Sequence, residues 1–253
     1  MHSAFFQLGR LHIPVFGVAA AVGLLAALAL SQRTARVARL DPSAVWDAGL
    51  MTVIAAFVLS RALLVVFNFQ SFLLYPVLLL AVPSLTSLGV LLTAALMFLY
   101  LRWKRLPVRA VLDAAAPCGA LLWLFLSLGR LLDGTREGMP SALPWAMPVA
   151  GSANYRVQPV EAYTLAAAFV ICLALLVLQP RLPRAGETAA VALLAGGAAG
   201  FFLDFVRVPT ELFAGVWFEP AQLRALALVV AGGIVLWAVE SKNEDPIGVE
   251  NAV

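Results

Sequence analysis

The sequence has little charge for its length. Only 12% of its 253 residues are charged and 62% are hydrophobic, whereas ordinary soluble domains have about 25% charged and about 45–50% apolar residues. A soluble fold could not hide so much apolar surface from water, so this class of protein is excluded.

Histidine and cysteine are also scarce. His2 and His12 precede or begin the first apolar stretch, while Cys118 and Cys172 lie within apolar stretches and form no C-x-x-C pair. Neither a zinc site nor a disulfide framework is indicated, and no Walker, G-x-S-x-G or H-E-x-x-H pattern is present. We therefore predict no metal and no cofactor, and any general base within the membrane must be a carboxylate.

Long apolar runs are what the chain has instead. Each is near the roughly 20 residues that a bilayer-spanning helix requires. The runs cover residues 13–31, 48–67, 84–101, 110–132, 160–179, 188–206 and 222–240. They predict an all-α integral membrane protein, a seven-transmembrane-helix bundle that forms a single domain over 1–253. The stretch 69–83 contains two prolines and is too short to cross separately, which favours an interfacial or re-entrant segment.

The basic residues predict the orientation, because cytoplasmic loops are enriched in Lys and Arg. With the N-terminus outside and the C-terminus in the cytoplasm, ten of them lie inside and four outside. The inner ones are Arg33, Arg36, Arg39, Arg102, Lys104, Arg105, Arg109, Arg181, Arg184 and Lys242, and the outer ones are Arg10, Arg136, Arg156 and Arg207. Topology thus explains the net positive charge, and we expect no nucleic-acid partner.

Loops and tail show no strand pattern. The outer loop 133–158 is rich in proline and glycine, which predicts an irregular, ordered, outward-facing cap. The polar tail from Ser241 is expected to fray.

A few charged residues lie within or at the ends of the spans, where each costs roughly 2.5–3.5 kcal/mol on insertion scales. They are Arg61, Arg130, Asp133, Glu161, Asp204 and Arg207. All except Arg61 lie toward the outer face, so a shared outward-facing polar cavity would explain them. The alternative is structural: Arg130 with Asp133, and Asp204 with Arg207, have the i,i+3 spacing of ion pairs that stabilise helix ends.

Other polar and small residues have structural interpretations. Arg61 could pair between helices, and Asp113 could be a favourable charge at the N-terminus of its own helix. Gly196, Gly197 and Gly200 are spaced so that another helix could approach closely.

Several stretches, taken in order, resemble the bacterial prolipoprotein diacylglyceryl transferases along nearly the whole chain. Residues 59–62 are similar to the G-A-R segment of that family, and 113–117 followed by 128–134 resemble its D-x-x-A-P and G-R signature region. The stretches are 8–17 (LGRLHIPVFG), 59–62 (LSRA), 113–117 (DAAAP), 128–134 (LGRLLDG), 159–163 (PVEAY), 186–187 (GE), 201–207 (FFLDFVR) and 221–222 (AQ).

The resemblance implies a transferase of the bacterial cytoplasmic membrane. Its expected partners are phosphatidylglycerol, the signal peptide of a prolipoprotein and membrane lipids. The diacylglyceryl group would pass from phosphatidylglycerol to a lipobox cysteine thiol, and glycerol phosphate would be released. Arg61, Arg130 and Arg207 are the expected phosphate-binding residues, Asp133, Glu161 and Asp204 the candidate bases, and Arg130 is also expected to act in catalysis.

Some family positions are occupied differently. Leu88 stands where the family has a histidine, Phe16 where it has an early tyrosine, and Gly196 and Gly200 where it has a tyrosine and an arginine. Two functions therefore stay open beside each other: a transferase with relocated arginines, or a non-catalytic member that binds phospholipid or lipoprotein. A small transporter is the third alternative, but it would require charges that line a path through the midplane of the membrane, and only Arg61 lies deep in a span.

Overall fold

The computed structural model describes residues 5–8, 11–68, 86–134, 138–149, 152–208 and 219–241. The predicted interfacial segment 69–83 and the tail beyond Ser241 lie outside these residues.

Seven α-helices account for most of the described chain. They are α1 (Val15–Val37), α2 (Pro42–Phe67), α3 (Ser87–Trp103), α4 (Val108–Leu132), α5 (Val160–Leu178), α6 (Glu187–Asp204) and α7 (Pro220–Glu240). Six of the seven are long and apolar enough to cross a membrane, and α3, with 17 residues, is shorter. The all-helical membrane architecture is confirmed, and the count of seven spans stays a prediction.

Local sequence signals explain where several helices begin. Asp41 caps α2 by accepting hydrogen bonds from the Ser43 hydroxyl and amide, with Pro42 at the first helical position. Such a proline has no amide hydrogen to leave unpaired. These bonds lower the pKa of Asp41, the hydroxyl bond more than the amide bond. At α7, Glu219 and Gln222 form a reciprocal capping box.

Helix packing brings small residues against neighbouring backbones. A Cβ atom added at Gly197 would lie 2.8 Å from the Ala225 carbonyl oxygen on α7. A Cβ atom added at Gly196, in contrast, would meet no atom of the described residues within 4 Å, and one at Gly200 would make only an ordinary 3.7 Å contact with Ala225. The predicted close approach is therefore confirmed for Gly197 and is wrong for Gly196, which lies on a different face of α6.

Two short antiparallel hairpins correct the expectation that the chain has no strands. One pairs β1 (Phe5–Leu8) with β2 (Leu11–Pro14), and the other pairs β3 (Met147–Val149) with β4 (Ser152–Val157). The second hairpin lies in the predicted cap, whose described residues are not helical but are more regular than expected. Strands of three and six residues satisfy their backbone hydrogen-bonding groups by pairing with each other.

Candidate functional site

An ion pair with a buried carboxylate joins Glu161 to Arg207. Glu161 lies in the first turn of α5, and Arg207 follows the C-terminal end of α6. The distance between Arg207 Nη2 and Glu161 Oε1 is 3.0 Å. Their side chains are 2% and 26% exposed, respectively, so the carboxylate is enclosed while the guanidinium remains partly accessible. A charge-assisted hydrogen bond of this kind is stronger than a neutral one.

The position of Glu161 follows from the start of its helix. Pro159 precedes the helix, and the first turn begins at Val160, which is itself buried. A carboxylate in the first turn is favoured because the helix dipole is positive there.

Arg207 is placed by a short extended segment of the cap, residues 138–141. The amide of Met139 donates to the Val206 carbonyl oxygen (2.9 Å), and the amide of Gln158 donates to the Met139 carbonyl oxygen (3.0 Å). This segment therefore links the residues just before α5 to those just after α6. The backbone of the cap thus sets the spacing between Glu161 and Arg207.

Gly138 is required by that linkage. It forms an antiparallel bridge with Arg207, and a Cβ atom at this position would collide with the carbonyl oxygen of Gln158. Only glycine permits so close an approach of two backbones.

Asp204 ends α6, one helical turn before Arg207, and is only 8% exposed. Among the described residues, its buried Oδ2 has no hydrogen-bond partner. Asp133, at the C-terminal cap of α4, is half-buried, and its Oδ1 likewise has no partner within the described ranges. The predicted i,i+3 ion pairs, Arg130 with Asp133 and Asp204 with Arg207, are wrong. Neither aspartate forms an ion pair in the described part of the chain, and Arg207 binds Glu161 instead.

Arg61 and Arg130 occupy different surroundings. The Arg61 guanidinium lies over the Phe57 ring, 5.2 Å from its centroid, and Arg61 is half-buried on α2. Arg130, in the last turn of α4, is exposed, and its guanidinium makes no ion pair with any described residue. The buried face of this turn carries Ser127 and Gly129 instead. The structure thus joins Glu161 to Arg207, with Asp204 adjacent, and leaves Arg130 at the surface.

Sequence reasoning missed one contact near this site. Trp145 Nε1 donates a 2.6 Å hydrogen bond to the Tyr163 hydroxyl, which joins the cap to the first turns of α5. The proline-rich context of Trp145 gave no sign of this partner.

It also misplaced the role of Asp113. Instead of serving its own helix, Asp113 accepts hydrogen bonds from the amides of Gly186 (2.6 Å) and Ala189 (2.8 Å) at the N-terminus of α6. The sequence contained one indication of this role. Gly186 precedes α6 and has no side chain to cap it, so another residue must accept hydrogen bonds from its first amides.

The arrangement can bind an anion and accept a proton. A guanidinium carries five N–H donors, so its contact with Glu161 is compatible with a bond to a phosphate oxygen. Asp204 adds a buried carboxylate oxygen that could take up a proton. Among the described residues, no group of three His, Cys, Asp or Glu side chains is placed to hold a metal ion.

Comparison with protein families gives one match over most of the chain. The model of the family described as prolipoprotein diacylglyceryl transferase matches residues 3–238. This range contains every candidate site residue discussed above.

Individual relatives agree with that match. A phosphatidylglycerol–prolipoprotein diacylglyceryl transferase of Synechococcus elongatus is 25% identical over 98% of this chain and 91% of its own length. A protein of the same name from Parasynechococcus marenigrum is 25% identical over 94% of both chains. A third, from Bordetella avium, is 34% identical over 58% of this chain and 57% of its own.

Proposed function

Because the chain belongs to the prolipoprotein diacylglyceryl transferase family, we propose that it transfers a diacylglyceryl group from phosphatidylglycerol to a prolipoprotein cysteine. The single observation that carries the proposal is the buried contact between Glu161 and Arg207 at the ends of two apolar helices. It supplies a partly accessible guanidinium where a lipid phosphate could reach it.

The reaction needs two kinds of help from the protein. The cysteine sulfur attacks the glycerol carbon of the diacylglyceryl group that bears the phosphate ester, so a C–S bond forms and a C–O bond breaks. The bonding electrons leave with the oxygen of glycerol phosphate, and the thiol proton passes to a base. A cation must therefore stabilise the leaving phosphate, and a carboxylate must help to form the thiolate.

In our proposal, Arg207 binds the phosphate of phosphatidylglycerol. Glu161 acts as a positioning residue, because it holds the guanidinium of Arg207 in a fixed direction. Asp204 accepts the thiol proton. Two observations support this role: Asp204 is buried, and its Oδ2 has no hydrogen-bond partner among the described residues. Asp133 is the second candidate base, and Arg61 and Arg130 are proposed as further phosphate-binding residues.

The protein is a multi-pass protein of the bacterial inner membrane. We propose that the N-terminus and the site face outward and the C-terminus faces the cytoplasm. The distribution of basic residues supports this orientation, which would present the site to a secreted prolipoprotein.

The test is to incubate the purified full chain, in micelles that contain phosphatidylglycerol, with a lipobox peptide. We expect diacylglyceryl-peptide and glycerol phosphate to form in equal amounts. Arg207→Ala should reduce turnover by about 10²–10³-fold, the usual effect of removing one group that stabilises transition-state charge. Arg36→Ala, an exposed arginine in the last turn of α1, is the matched control and should retain full turnover.

A second candidate function is phospholipid binding without turnover. Leu88 and Gly200 favour this second function, because they occupy positions where the family has a histidine and an arginine. A folded sample that binds phosphatidylglycerol and releases no glycerol phosphate would support this function and contradict the transferase.

A further inference from the structure

The ends of α1 and α3 share one six-residue pattern. Residues 35–40 read ARVARL and residues 101–106 read LRWKRL, so each stretch has arginine at its second and fifth positions and leucine at its sixth. In both, the leucine amide donates a 2.9 Å hydrogen bond to the carbonyl oxygen of the first residue. The amide of the fifth residue donates a 3.1 Å hydrogen bond to the carbonyl oxygen of the second. Both helices therefore end in a Schellman motif, whose fifth position is left-handed.

Arginine occupies that left-handed position in both motifs. The φ angle is 57° at Arg39 and 55° at Arg105, and no other non-glycine residue in the described ranges has a positive φ. Glycine is the usual residue here, because a Cβ atom in this conformation crowds the following carbonyl oxygen. Membrane orientation requires basic residues in these loops but not at this backbone position. The repeated strain points to a use for the arginine side chain.

The two motifs lie at one corner of the bundle. Leu40 and Leu106, the last residues of the two patterns, pack against the same buried cluster. Arg39 and Arg105 immediately precede these leucines and are therefore brought to the same corner. The basic corner is defined here as Arg36, Arg39, Arg102, Lys104 and Arg105. All five side chains are exposed, and none forms an ion pair with a residue that the structure describes.

Trp103 indicates the depth of the basic corner in the membrane. It is 76% exposed, and the Lys104 ammonium lies 5.4 Å from the centroid of its ring. Tryptophan is enriched where a bilayer meets water. From Val108, beside the corner, α4 continues for 25 residues toward Asp133, which corresponds to about 37 Å. Because a hydrocarbon core is about 30 Å thick, the basic corner and the proposed reaction site lie in opposite leaflets.

We propose that the basic corner binds the headgroup of an anionic phospholipid in the leaflet opposite the reaction site. Charge complementarity selects this partner, because guanidinium groups bind phosphate oxygens and basic clusters at the membrane surface attract anionic lipids. A zwitterionic headgroup also carries an ammonium group, which the five cations would repel. The proposal does not depend on the transferase reaction, since neither Glu161 nor Arg207 belongs to the corner.

The acidic tail beyond Ser241 is a poorer partner for the corner. It contains Glu244 and Asp245 and continues from α7, which packs against α6. The corner is formed instead by the ends of α1 and α3, and both of these helices pack against α2. The tail therefore starts from a different part of the bundle.

Glycine variants remove the charge and retain the turn. Arg39→Gly with Arg105→Gly places at both positions the residue that adopts a positive φ most easily, whereas Arg39→Lys with Arg105→Lys keeps both charges. The matched control is Arg156→Gln with Arg224→Gln, which also removes two exposed arginines. These lie on β4 and at the start of α7, away from the corner.

The measurement is titration of the full chain in neutral detergent with phosphatidylserine, followed by native mass spectrometry. Phosphatidylserine is anionic and is not the donor lipid of the proposed reaction, and phosphatidylcholine is the zwitterionic comparison. A basic residue near a membrane surface strengthens binding of anionic lipid about fivefold. The glycine double variant should therefore bind phosphatidylserine about 25-fold more weakly than the unchanged protein. The lysine and control variants should retain most of the affinity.

Equal affinity of the unchanged protein and the glycine double variant for phosphatidylserine would overturn the proposal. Equally tight binding of phosphatidylcholine by the unchanged protein would also overturn it, because charge would then not select the lipid. Glu244→Gln with Asp245→Asn should leave the affinity unchanged. Tighter lipid binding by that variant would show that the tail occupies the corner, which is the third overturning result.

Thermal unfolding separates lipid binding from a purely structural role of the arginines. Basic residues near a helix C-terminus can stabilise the helix through its dipole, and loss of that effect would lower the melting temperature of the glycine double variant in phosphatidylcholine alone. We expect no such decrease, because glycine relieves the strain at both positions. Added phosphatidylserine should raise the melting temperature of the unchanged protein more than that of the variant. A decrease in phosphatidylcholine with an undiminished response to phosphatidylserine would overturn the proposal.

Discussion

The carboxylate of Glu161 lies 3.0 Å from the guanidinium of Arg207, although 46 residues separate them in the chain. The two side chains are unequally buried, 2% and 26% exposed. This inequality has a consequence for stability, because the cost of disturbing an ion pair depends on which charge is left in the protein interior.

Removing the cation should therefore destabilise the protein more than removing the carboxylate. Arg207→Gln leaves a buried carboxylate without this arginine and should cost about 3–5 kcal/mol, whereas Glu161→Gln leaves a partly accessible arginine and should cost less. The measurement is thermal unfolding of each variant in the same detergent. The double variant should be more stable than Arg207→Gln alone, and strictly additive effects of the two changes would contradict the coupling.

Asp204 and Asp133 can be distinguished kinetically. If Asp204 takes the thiol proton, Asp204→Asn should lower kcat by about 10²–10⁴-fold, with little change in the affinity for phosphatidylglycerol. Asp133→Asn is the matched control, because it makes the same change at the half-buried end of α4. A larger loss of kcat in Asp133→Asn would assign the base to Asp133 instead.

Gly138 should tolerate no side chain. Gly138→Ala places a methyl group against the Gln158 carbonyl oxygen, so the segment 138–141 would have to move and Arg207 with it. We expect lower thermal stability together with a higher KM for phosphatidylglycerol. Gly196→Ala is the control, because its methyl group meets no described atom. Unchanged kinetics in Gly138→Ala would show that the cap does not set the position of Arg207.

The helical architecture was predictable from the sequence because a bilayer leaves little choice. Backbone groups in hydrocarbon must be satisfied internally, so a long apolar stretch becomes a helix. Helix ends were less predictable: α1 continues to Val37, six residues beyond the apolar run 13–31, because its backbone hydrogen bonds continue into the polar region. The hairpin of β3 and β4 was missed because its strands are too short to show an alternating pattern, and they form only by pairing with each other.

The residues of the site were easier to predict than their partners. Glu161, Asp204 and Arg207 stood out as charges at the ends of apolar runs. Local spacing offered a pair between Asp204 and Arg207 as one alternative, whereas the tertiary fold joins Arg207 to Glu161. The exposure of Arg130 depends on the rotation of α4 about its axis, which is set by packing rather than by the charge itself.

Asp113 should contribute to stability without contributing to the reaction. It accepts amide hydrogen bonds from Gly186 and Ala189, one on each carboxylate oxygen. Asp113→Asn replaces one of these oxygens by an N–H donor, so one buried amide loses its acceptor at a cost of about 1–3 kcal/mol. Asp113 lies near the start of α4 and Asp133 caps its C-terminal end. The 20 residues between them correspond to about 30 Å along the helix axis, so Asp113 is far from the candidate site. Turnover per folded molecule should therefore stay unchanged.

The control for Asp113 is Asp41→Asn, which alters the exposed cap of α2. Water can replace the lost hydrogen bonds there, so the melting temperature should fall by less than in Asp113→Asn. Thermal unfolding of both variants in one detergent, with lipobox-peptide turnover measured below the transition, separates stability from activity. Equal shifts in melting temperature would contradict the role of Asp113 in joining α4 to α6. A loss of turnover in folded Asp113→Asn would show that the α6 N-terminus influences the distant site.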